Sequence, residues 1–301
     1  MTGRIVVVGS LNLDSTLRVE HLPEAGETVH SAPALRSPGG KGANQAVAAA
    51  LLGGRVGLVG AVGEDDAGRT LTAAARNAGV DVSAVQTVRE ATGQAIILVD
   101  AGAENVIVVD SGANAVVDPE RVRAGVGEVD VLVTGNEVTD QVVVAAIRQA
   151  AAVGAVIVHN PSPFRPLPEG SPHPQVLVVN EHEFAALGGV LGASAGDPAG
   201  VELPPALRAG AVVVTRGSRG ALVVERDVVT AVAAVAVDAV DTSGCGDAFL
   251  GALVERIAAG CPLVDAAAFA VRVGAFAATR SGTQSSYPTA AELQEWSAPG
   301  A

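Results

Sequence analysis

Aromatic residues are scarce in this sequence: Phe, Tyr and Trp make up 2% of the 301 residues, whereas hydrophobic residues make up 49%. A core without aromatic bulk must be built from Ala, Val and Leu, which suits parallel strands covered by closely packed helices. Apolar runs such as residues 5–8 and 176–179 have the length of a strand and not of a membrane span. We therefore expect no membrane partner.

Cysteines are scarce as well. The two in the chain, Cys245 and Cys261, do not make a disulfide framework in so long a sequence. The residues before the first apolar run show no signal-peptide pattern. We expect a reduced, soluble, cytoplasmic protein.

Positive charge is the third deficit. The chain has 19 Lys and Arg against 32 Asp and Glu, a formal net charge of −13, whereas a nucleic-acid partner would require a basic face. A phosphate site on such a chain must use backbone N–H groups, a metal ion or a few placed cations. The single lysine, Lys41, lies in a glycine-rich loop; the alternative is that an arginine-rich composition left it there by chance.

Strand-length apolar runs alternate with Ala-rich helical stretches, a pattern typical of βαβ units and a mainly parallel sheet. The predicted strands cover residues 5–8, 56–59, 131–133, 155–158, 176–179 and 211–215. The predicted helices cover residues 43–52, 67–78, 141–152, 181–187, 246–259 and 263–279. Because the strands are almost wholly apolar, we expect an α/β fold with helices on both faces of the sheet.

Two regions, residues 17–35 and 92–109, break this alternation with strand-like pieces separated by Gly, Pro and Glu. We expect one small β-sheet beside the core, which could cover a site and exclude water. The alternative is a set of ordinary hairpins at a sheet edge. Residues 193–205 are expected to form an irregular connection and residues 297–301 a frayed tail.

The strongest functional signal is the segment Asp-Thr-Ser-Gly-Cys-Gly-Asp at 241–247, which leads directly into an apolar helical run. Gly244 and Gly246 let successive backbone N–H groups converge, and the helix start adds partial positive charge, so the segment suits an anion. Asp247 would lie at the helix start, where a carboxylate aimed at an anion site suits proton transfer. The alternative is a simple helix N-cap.

A second glycine-rich segment, residues 38–45, also opens an apolar helix. Its glycines permit close approach of the backbone to a ligand, and Lys41 and Asn44 supply donors suited to hydroxyl groups. It is not a Walker A loop, because Gly42 stands where that loop has Ser or Thr. The alternative is a helix cap with spare glycines.

Polar residues also follow several predicted strands, where ligands of open α/β sheets collect. Asn12 and Asp14 suit vicinal hydroxyls, although both are ordinary turn residues by type. A dinucleotide fingerprint is absent there, which argues against a dehydrogenase. Residues 180–183 offer hard oxygen ligands for a magnesium–phosphate complex, and residues 215–220 a glycine-rich turn for a nucleotide; each has the plain alternative of a cap or turn.

Together these motifs resemble the ribokinase branch of the PfkB-type carbohydrate kinases, a family that also includes adenosine kinase and the minor phosphofructokinase. The resemblance extends from Asn12 to about Ser286, and its most specific parts are residues 39–45 and 240–247. It implies ATP-dependent phosphorylation of the 5-hydroxyl of D-ribose to give D-ribose 5-phosphate.

The resemblance also implies the architecture. It predicts a single domain over residues 1–301 with a three-layer α/β/α core, and a small β lid formed by about residues 15–36 and 92–110. Because the family's lid often forms the dimer contact, it further implies a homodimer through the lid.

Individual roles follow from the same resemblance. The residues implied to contact the sugar are Asn12, Asp14, Gly40, Lys41, Asn44 and Glu137. Those implied to meet ATP are Asn180, Thr215, Gly217, Ser218, Gly220 and Gly246, with Glu183 linked to Mg²⁺. Asp247 is implied to be the catalytic base, beside an anion hole of the backbone N–H groups of Gly244, Cys245 and Gly246. The positions implied to hold an activating K⁺, mostly through carbonyls, are Asp241, Ser243, Ala277, Arg280, Gly282 and Ser286.

Two residues depart from the family pattern. Cys245 replaces the usual alanine, and its thiol is expected to make the site sensitive to oxidation. Val271 stands where the family often places a polar residue near the adenine, so no adenine contact is assigned there.

Other substrates and another class remain open. Within the family, the alternatives are a kinase for 2-deoxyribose, a nucleoside or a hexose. A nucleoside would require an apolar or aromatic pocket for its base, and aromatic candidates are few. Outside the enzymes, the alternative is a non-catalytic sugar sensor, but its expected mark, a lost base or a broken glycine run, is not found in the sequence.

Overall fold

The computed structural model describes residues 2–102, 104–189, 209–225 and 228–297. The predicted connection at 193–205 lies outside these residues, as does the predicted tail beyond residue 297. No helix in the described ranges is long and apolar enough to cross a membrane.

The described residues form strands and helices in alternation over most of the chain. The strands are β1 (Arg4–Val8), β2 (Asn12–Arg18), β3 (Leu35–Gly39), β4 (Arg55–Gly63), β5 (Val85–Val88), β6 (Gly93–Val99), β7 (Asn105–Asp110), β8 (Val131–Gly135), β9 (Val156–Asn160), β10 (Val176–Asn180), β11 (Ala211–Thr215), β12 (Ala221–Glu225) and β13 (Val228–Val232). The helices are α1 (Lys41–Leu51), α2 (Asp66–Asn77), α3 (Pro119–Val126), α4 (Asp140–Ala152), α5 (Glu181–Ala186), α6 (Cys245–Ala258), α7 (Leu263–Ala278) and α8 (Ala290–Glu295).

The larger sheet contains nine strands in the order β13-β12-β11-β10-β9-β8-β1-β4-β5. Neighbouring strands are parallel except in the pairs β11–β12 and β12–β13, which form an antiparallel edge. The carboxyl ends of the parallel strands therefore lie along one edge of the sheet. The polar residues that follow these strands in the sequence lie at the same edge.

Helices cover both faces of this sheet, as β1 illustrates. Ile5 and Val7 pack in one core cluster with residues of α1, α6 and α7. Val6 and Val8 pack in a second cluster with residues of α3 and α4. All four side chains are at most 1% exposed. The predicted α/β fold with three layers is confirmed.

Each of the six predicted strands and six predicted helices of the core overlaps an observed element of the same type. Helices α3 and α8 and strands β5, β12 and β13 were not predicted. Helix α3 has only eight residues and buries only Val122 and Val126, which is too short a repeat to stand out in the sequence.

The smaller sheet has four strands in the order β3-β2-β6-β7. It is assembled from the two regions that break the alternation, but β2 begins at Asn12 and β3 ends at Gly39, outside the predicted limits. Asn12 and Asp14, which are turn residues by type, are paired in a strand with Gly39 and Ser37. The sheet therefore begins directly at the candidate sugar residues.

Both faces of the smaller sheet expose apolar side chains, and one of them also carries Asp14. The strand registers place Asp14, Ala95 and Val109 side by side on one face, where Val109 is 49% exposed. Ile96 and Val108 are paired on the other face and are 43% and 59% exposed. The candidate sugar ligand Asp14 thus lies on a sheet with apolar side chains exposed on both faces.

Helix α1 begins directly against the end of β1. A Cβ at Gly42 would lie 2.6 Å from the carbonyl carbon of Gly9, and a Cβ at Gly9 would lie 2.8 Å from the Cα of Gly42. The backbone N–H of Ala43 donates to the Ser10 carbonyl at 2.9 Å. Two glycines thus let the first turn of α1 contact the carboxyl end of β1.

Candidate active site

The carboxyl ends of β1 and β8 meet at Glu137. Ser10, just after β1, donates from Oγ to Glu137 Oε2. The backbone N–H of Lys41, the first residue of α1, donates to the same oxygen at 3.0 Å. The Glu137 carboxylate therefore links the ends of β1 and β8 to the start of α1. This contact brings together Glu137 and Lys41, which were both predicted to contact the sugar.

Asp247 lies in the first turn of α6, and two side-chain amides of α1 hold its carboxylate. Asn44 Nδ2 donates to Asp247 Oδ2 at 3.0 Å, and Gln45 Nε2 donates to Oδ1 at 2.9 Å. All three side chains are at most 8% exposed. The carboxylate is thereby fixed in orientation, while each oxygen keeps a further lone pair for another donor.

Charged groups from distant parts of the chain act on one another here. Burial raises the pKa of Asp14 to about 7, and the charges of Glu137 and Asp247 add to this effect. The charge of Asp247 raises the pKa of Lys41; burial opposes this effect, and Glu137 and Glu183 reinforce it. Lys41 therefore stays charged, and the carboxylates that raise its pKa belong to the candidate sugar residues Asp247 and Glu137 and to the candidate nucleotide residue Glu183.

Asn12 is held by Asn114, which lies in a short 3₁₀ turn. Asn114 Nδ2 donates to Asn12 Oδ1 at 2.8 Å and to the Leu11 carbonyl at 3.1 Å, while its Oδ1 accepts from the Leu11 N–H at 3.0 Å. A cavity of about 360 Å³ opens beside these residues and is lined in part by Asn12, Glu137 and Val109. The Asp14 face of the smaller sheet thus borders a space next to the candidate sugar residues.

Gly40 and Gly244 both adopt conformations that favour glycine. Gly40 has a φ of 87°, and a Cβ there would lie 2.7 Å from the backbone nitrogen of Asn12. Gly244 has a φ of 70° and caps α6, and a Cβ there would lie 2.4 Å from Thr283 Cγ2. Tyr287 Oη donates to the Gly244 carbonyl at 3.1 Å. The backbone therefore requires glycine at 40 and 244, whereas a Cβ at Gly246 would meet nothing within 4 Å.

The candidate anion hole is the first turn of α6. The N–H groups of Gly246 and Asp247 have no acceptor within the helix, because the first four N–H groups of any helix lack one. The N–H of Cys245 donates to the Thr242 carbonyl at 3.3 Å. The N–H groups of Gly246 and Asp247 are thus available to an anion, which the helix dipole would also favour, whereas that of Cys245 would have to exchange its bond.

Asp241 joins the two segments predicted to hold K⁺. Its Oδ1 accepts from the Ser243 N–H and its Oδ2 from the Gly282 N–H, both at 2.9 Å. Burial raises the pKa of this carboxyl, but the hydrogen bonds from Gly282 and Ser243 outweigh it and lower the pKa overall. Asp241 is therefore ionised at neutral pH and brings residues 241–243 and 282 together.

The other predicted K⁺ positions lie around this junction. Ser286 is fully buried, and its Oγ donates to the Thr283 carbonyl at 2.8 Å. The Arg280 guanidinium pairs with Glu292 at 2.9 Å and lies over the Phe276 ring, so only its carbonyl is available to a cation. An ionised carboxylate, carbonyls and a hydroxyl are oxygen donors of the type that hard cations take.

The predicted nucleotide residues lie at the ends of two adjacent strands. Asn180 and Thr215 are paired in the register of β10 and β11. Asn180 and Glu183 form a capping box at the start of α5, with Glu183 Oε2 accepting from the Asn180 N–H at 2.9 Å. Asn180 and Glu183 therefore do cap a helix, as the alternative interpretation of this motif predicted. The other carboxylate oxygen of Glu183 is not used in the capping box.

The turn after β11 contacts α5. Gly217 and Gly220 have φ values of 54° and 81°, and Ser218 lies between them in a 3₁₀ turn. Arg219 of this turn donates to Glu181 at 2.5 Å.

In the described residues no group of three or more His, Cys, Asp or Glu side chains could hold a metal. Glu183 suits Mg²⁺, which takes one or two carboxylates and otherwise water and phosphate oxygens.

Of the two residues that depart from the family pattern, Cys245 is half-buried and Val271 is buried. Burial raises the pKa of the Cys245 thiol to about 11, and the charges of Asp241 and Asp247 add to this effect. A protonated thiol reacts slowly, so the structure argues against the expected sensitivity to oxidation. Val271 is 8% exposed and belongs to the core cluster of α1, α6 and α7.

Sequence reasoning missed several residues of the site. Gln45 and Asn114 hold Asp247 and Asn12 directly, and Ser10 bonds to Glu137. Gln45 directly follows Asn44 in the glycine-rich segment 38–45, so its position near the helix start could have identified it as a site residue. The partner of Asn114 lies 102 residues away, and no local pattern indicates it.

The chain matches the pfkB family carbohydrate kinase over residues 2–290. It is 36% identical to the ribokinase of Schizosaccharomyces pombe, with 96% of each chain covered. It is 33% identical to the deoxyribokinase of Salmonella typhi, with 97% of this chain and 98% of that one covered. The crystal structure of a ribokinase from Thermotoga maritima matches with a TM-score of 0.86 and 30% identity, with 98% of this chain and 99% of that one covered. The chain therefore belongs to the pfkB family of carbohydrate kinases and is a sugar kinase, an enzyme that transfers phosphate from ATP to an alcohol group.

Proposed function

We propose that this kinase phosphorylates the 5-hydroxyl of D-ribose and releases D-ribose 5-phosphate and ADP. The observation that carries the proposal is the fixed carboxylate of Asp247, which lies at the start of α6 with one oxygen bonded to Asn44 and the other to Gln45. The likeness to the ribokinase of Schizosaccharomyces pombe over 96% of the chain supports ribose as the sugar.

Asp247 is proposed as the general base. The sugar hydroxyl donates its proton to a carboxylate oxygen as its own oxygen attacks the γ-phosphorus, and the bond between that phosphorus and the leaving ADP oxygen breaks. The two amide donors orient the carboxylate before the sugar arrives, which is the preorganisation that phosphoryl transfer depends on.

The first turn of α6 is proposed as the anion hole. The N–H groups of Gly246 and Asp247, with that of Cys245 once it releases Thr242, face the charge that develops on the transferred phosphoryl group. Gly244 supports this turn because its positive φ lets the chain enter the helix beside Tyr287. Lys41 adds a charged side chain on the sugar side.

The sugar is proposed to contact two sets of groups. The first set, on the smaller sheet and the glycine-rich loop, comprises Asn12, Asp14, Gly40, Lys41 and Asn44. The second is Glu137, whose Oε2 already accepts from Ser10 and Lys41 and whose other oxygen is left for a hydroxyl.

ATP is proposed to lie along the ends of β10 and β11. The groups that would contact it are Asn180, Thr215, Gly217, Ser218, Gly220 and Gly246. Glu183 would hold Mg²⁺, which in such enzymes neutralises charge on the phosphates. The Asp241 junction, with carbonyls of Ala277, Arg280 and Gly282 and the groups of Ser243 and Ser286, would hold an activating K⁺.

The smaller sheet is proposed as a lid and as the contact of a homodimer. Its Asp14 face borders the site, so its closure would exclude water from the reaction. Its other face exposes the apolar side chains of the paired residues Ile96 and Val108, which a second copy would bury.

An enzyme that consumes ATP and keeps two free thiols fits the cytoplasm.

2-Deoxy-D-ribose is the second candidate substrate. The likeness to the deoxyribokinase of Salmonella typhi favours it almost as strongly as the likeness to ribokinase favours ribose. A nucleoside is disfavoured because the chain has only seven aromatic residues, five Phe, one Tyr and one Trp, for a base pocket. A non-catalytic sensor is disfavoured because the carboxylate and both glycine loops are intact.

The test is ADP release with Mg·ATP over D-ribose, 2-deoxy-D-ribose, D-fructose and adenosine, each with K⁺ or with Na⁺ alone. We expect the highest kcat/KM for ribose and a higher turnover with K⁺. Turnover preferring another acceptor would overturn the sugar assignment. Ribose binding by calorimetry without turnover on any acceptor would support the sensor instead.

A further inference from the structure

Gln284 reaches the catalytic base through one intermediate side chain. It lies in the 3₁₀ turn Gln284–Ser286 near the C-terminus and is half-buried. Its Nε2 donates to Asn44 Oδ1 at 3.0 Å. Asn44 in turn donates from Nδ2 to Asp247 Oδ2 at 3.0 Å. A relay of two hydrogen bonds thus joins the C-terminal turn to the start of α6.

The relay fixes the direction of the Asn44 amide. An amide has a donor end and an acceptor end of nearly equal shape, so either can occupy the same position. If the Asn44 amide turned over, its oxygen would face the carboxylate oxygen of Asp247, and its NH₂ would face the NH₂ of Gln284. Because the Asp247 carboxylate can only accept, it requires the NH₂ end of the Asn44 amide, and the Gln284 Nε2 donor satisfies the opposite, Oδ1 end.

The second support of the carboxylate is different in kind. Gln45 Nε2 donates to Asp247 Oδ1 at 2.9 Å, so it holds one oxygen without involving the C-terminal turn. Loss of the Asn44 contact would leave Asp247 held at one oxygen and free to rotate away from the sugar. Gln284 therefore acts on the oxygen that Gln45 does not control.

We propose that Gln284 is a positioning residue for phosphoryl transfer, which orients the Asn44 amide and through it holds the Asp247 carboxylate toward the sugar hydroxyl. The proposal rests on Asp247 being the base, as proposed above. Gln284 is not one of the residues proposed to contact the sugar or the nucleotide. Its loss should therefore lower kcat and leave the KM for ATP unchanged.

Two variants at this position separate orientation from simple packing. Gln284→Leu keeps the volume but removes the donor, and we expect kcat to fall about tenfold, the effect of losing one hydrogen bond to a charged network. Gln284→Glu keeps the shape but offers an acceptor, which favours the reversed Asn44 amide, so kcat should fall further than in Gln284→Leu. The control is Ser285→Ala in the same turn. The Ser285 side chain is exposed and donates to the Ser281 carbonyl, and the kcat of this variant should stay at the wild-type value.

A double-mutant cycle with Asn44→Leu tests the relay itself. In that background Gln284→Leu should cause no further loss of kcat, since the amide that it orients is gone. Equal losses in both backgrounds, or a Gln284→Leu kcat within about twofold of wild type, would overturn the proposal. A drop in thermal stability with unchanged kcat would also overturn it.

The same measurements distinguish this failure from failure of the proposed reaction. They use whichever acceptor gives the highest turnover in the substrate panel, so a wrong sugar assignment leaves them valid. If Asp247 were not the base, Asp247→Asn would retain turnover, whereas a failed relay would leave Asp247→Asn inactive and Gln284→Leu active.

Discussion

The carboxylate of Asp14 occupies the space that a side chain at residue 39 would fill: a Cβ on Gly39 would lie 2.0 Å from Asp14 Oδ2. The two residues belong to neighbouring strands, β2 and β3, at the edge of the candidate sugar pocket. Gly39 therefore makes room for a half-buried carboxylate, and the resulting environment controls how that carboxylate titrates.

Sugar affinity should depend on pH through Asp14. Because burial and the nearby carboxylates raise its pKa to about 7, Asp14 is protonated below that pH and loses acceptor strength for sugar hydroxyls. We expect the sugar KM to rise about tenfold between about pH 8 and pH 6. Initial rates at saturating ATP measure this, and Asp14→Asn should flatten the profile. A wild-type KM that stays constant over this range would contradict the assignment.

Lys41 should act on the sugar rather than on ATP. The charges of Asp247, Glu137 and Glu183 raise its pKa, and Asp247, a proposed sugar residue, has the largest influence. We expect Lys41→Met to raise the KM for the sugar more than the KM for ATP. Bisubstrate kinetics compare the two constants in one experiment, and the opposite order would move Lys41 to the nucleotide.

The fold should lose stability in acid partly through His159. This side chain is fully buried in β9 and its Nδ1 lies 2.9 Å from Thr134 Oγ1. Burial lowers its pKa to about 4, from an ordinary value of 6.5. The unfolded chain takes up the proton first, so this contribution is present above pH 6.5 and is lost as the pH falls toward 4.

Urea unfolding of wild type and His159→Gln measures that loss. Between about pH 7.5 and pH 5, the wild type should lose about 2 kcal/mol more than the variant, since each pH unit below 6.5 is worth about 1.4 kcal/mol. The difference cancels the titration of Asp14, which both proteins share. Parallel pH dependence in the two proteins would show that folding does not lower the pKa of His159, which would contradict the prediction.

Cys245 should resist alkylation despite its place in the proposed anion hole. With its pKa raised to about 11, its thiolate fraction at about pH 8 is about a hundredfold below that of free cysteine. Iodoacetamide labelling followed by mass spectrometry should show Cys245 reacting correspondingly slowly, with activity retained. Rapid labelling with loss of turnover in wild type, but not in Cys245→Ala, would indicate a reactive thiol.

The sequence predicted the parts of this site that are local in the chain. Glycines followed by an apolar helical run indicate a backbone turn at a helix start, which is how Lys41 and Asp247 were identified. Gln284 and Asn44 are 240 residues apart, and Gln45 and Asp247 are 202 apart. Such contacts depend on how α1, α6 and the C-terminal turn pack, and no periodicity encodes them.

The most direct test of Asp247 as the base is kcat for Asp247→Asn with saturating sugar and Mg·ATP. Asparagine keeps the size but cannot accept the proton, so kcat should fall about 10²–10⁴-fold. Asp265→Asn is the matched control, because Asp265 also lies in the first turn of a helix, α7, and is exposed; its kcat should match wild type. Near-normal turnover by Asp247→Asn would contradict the mechanism.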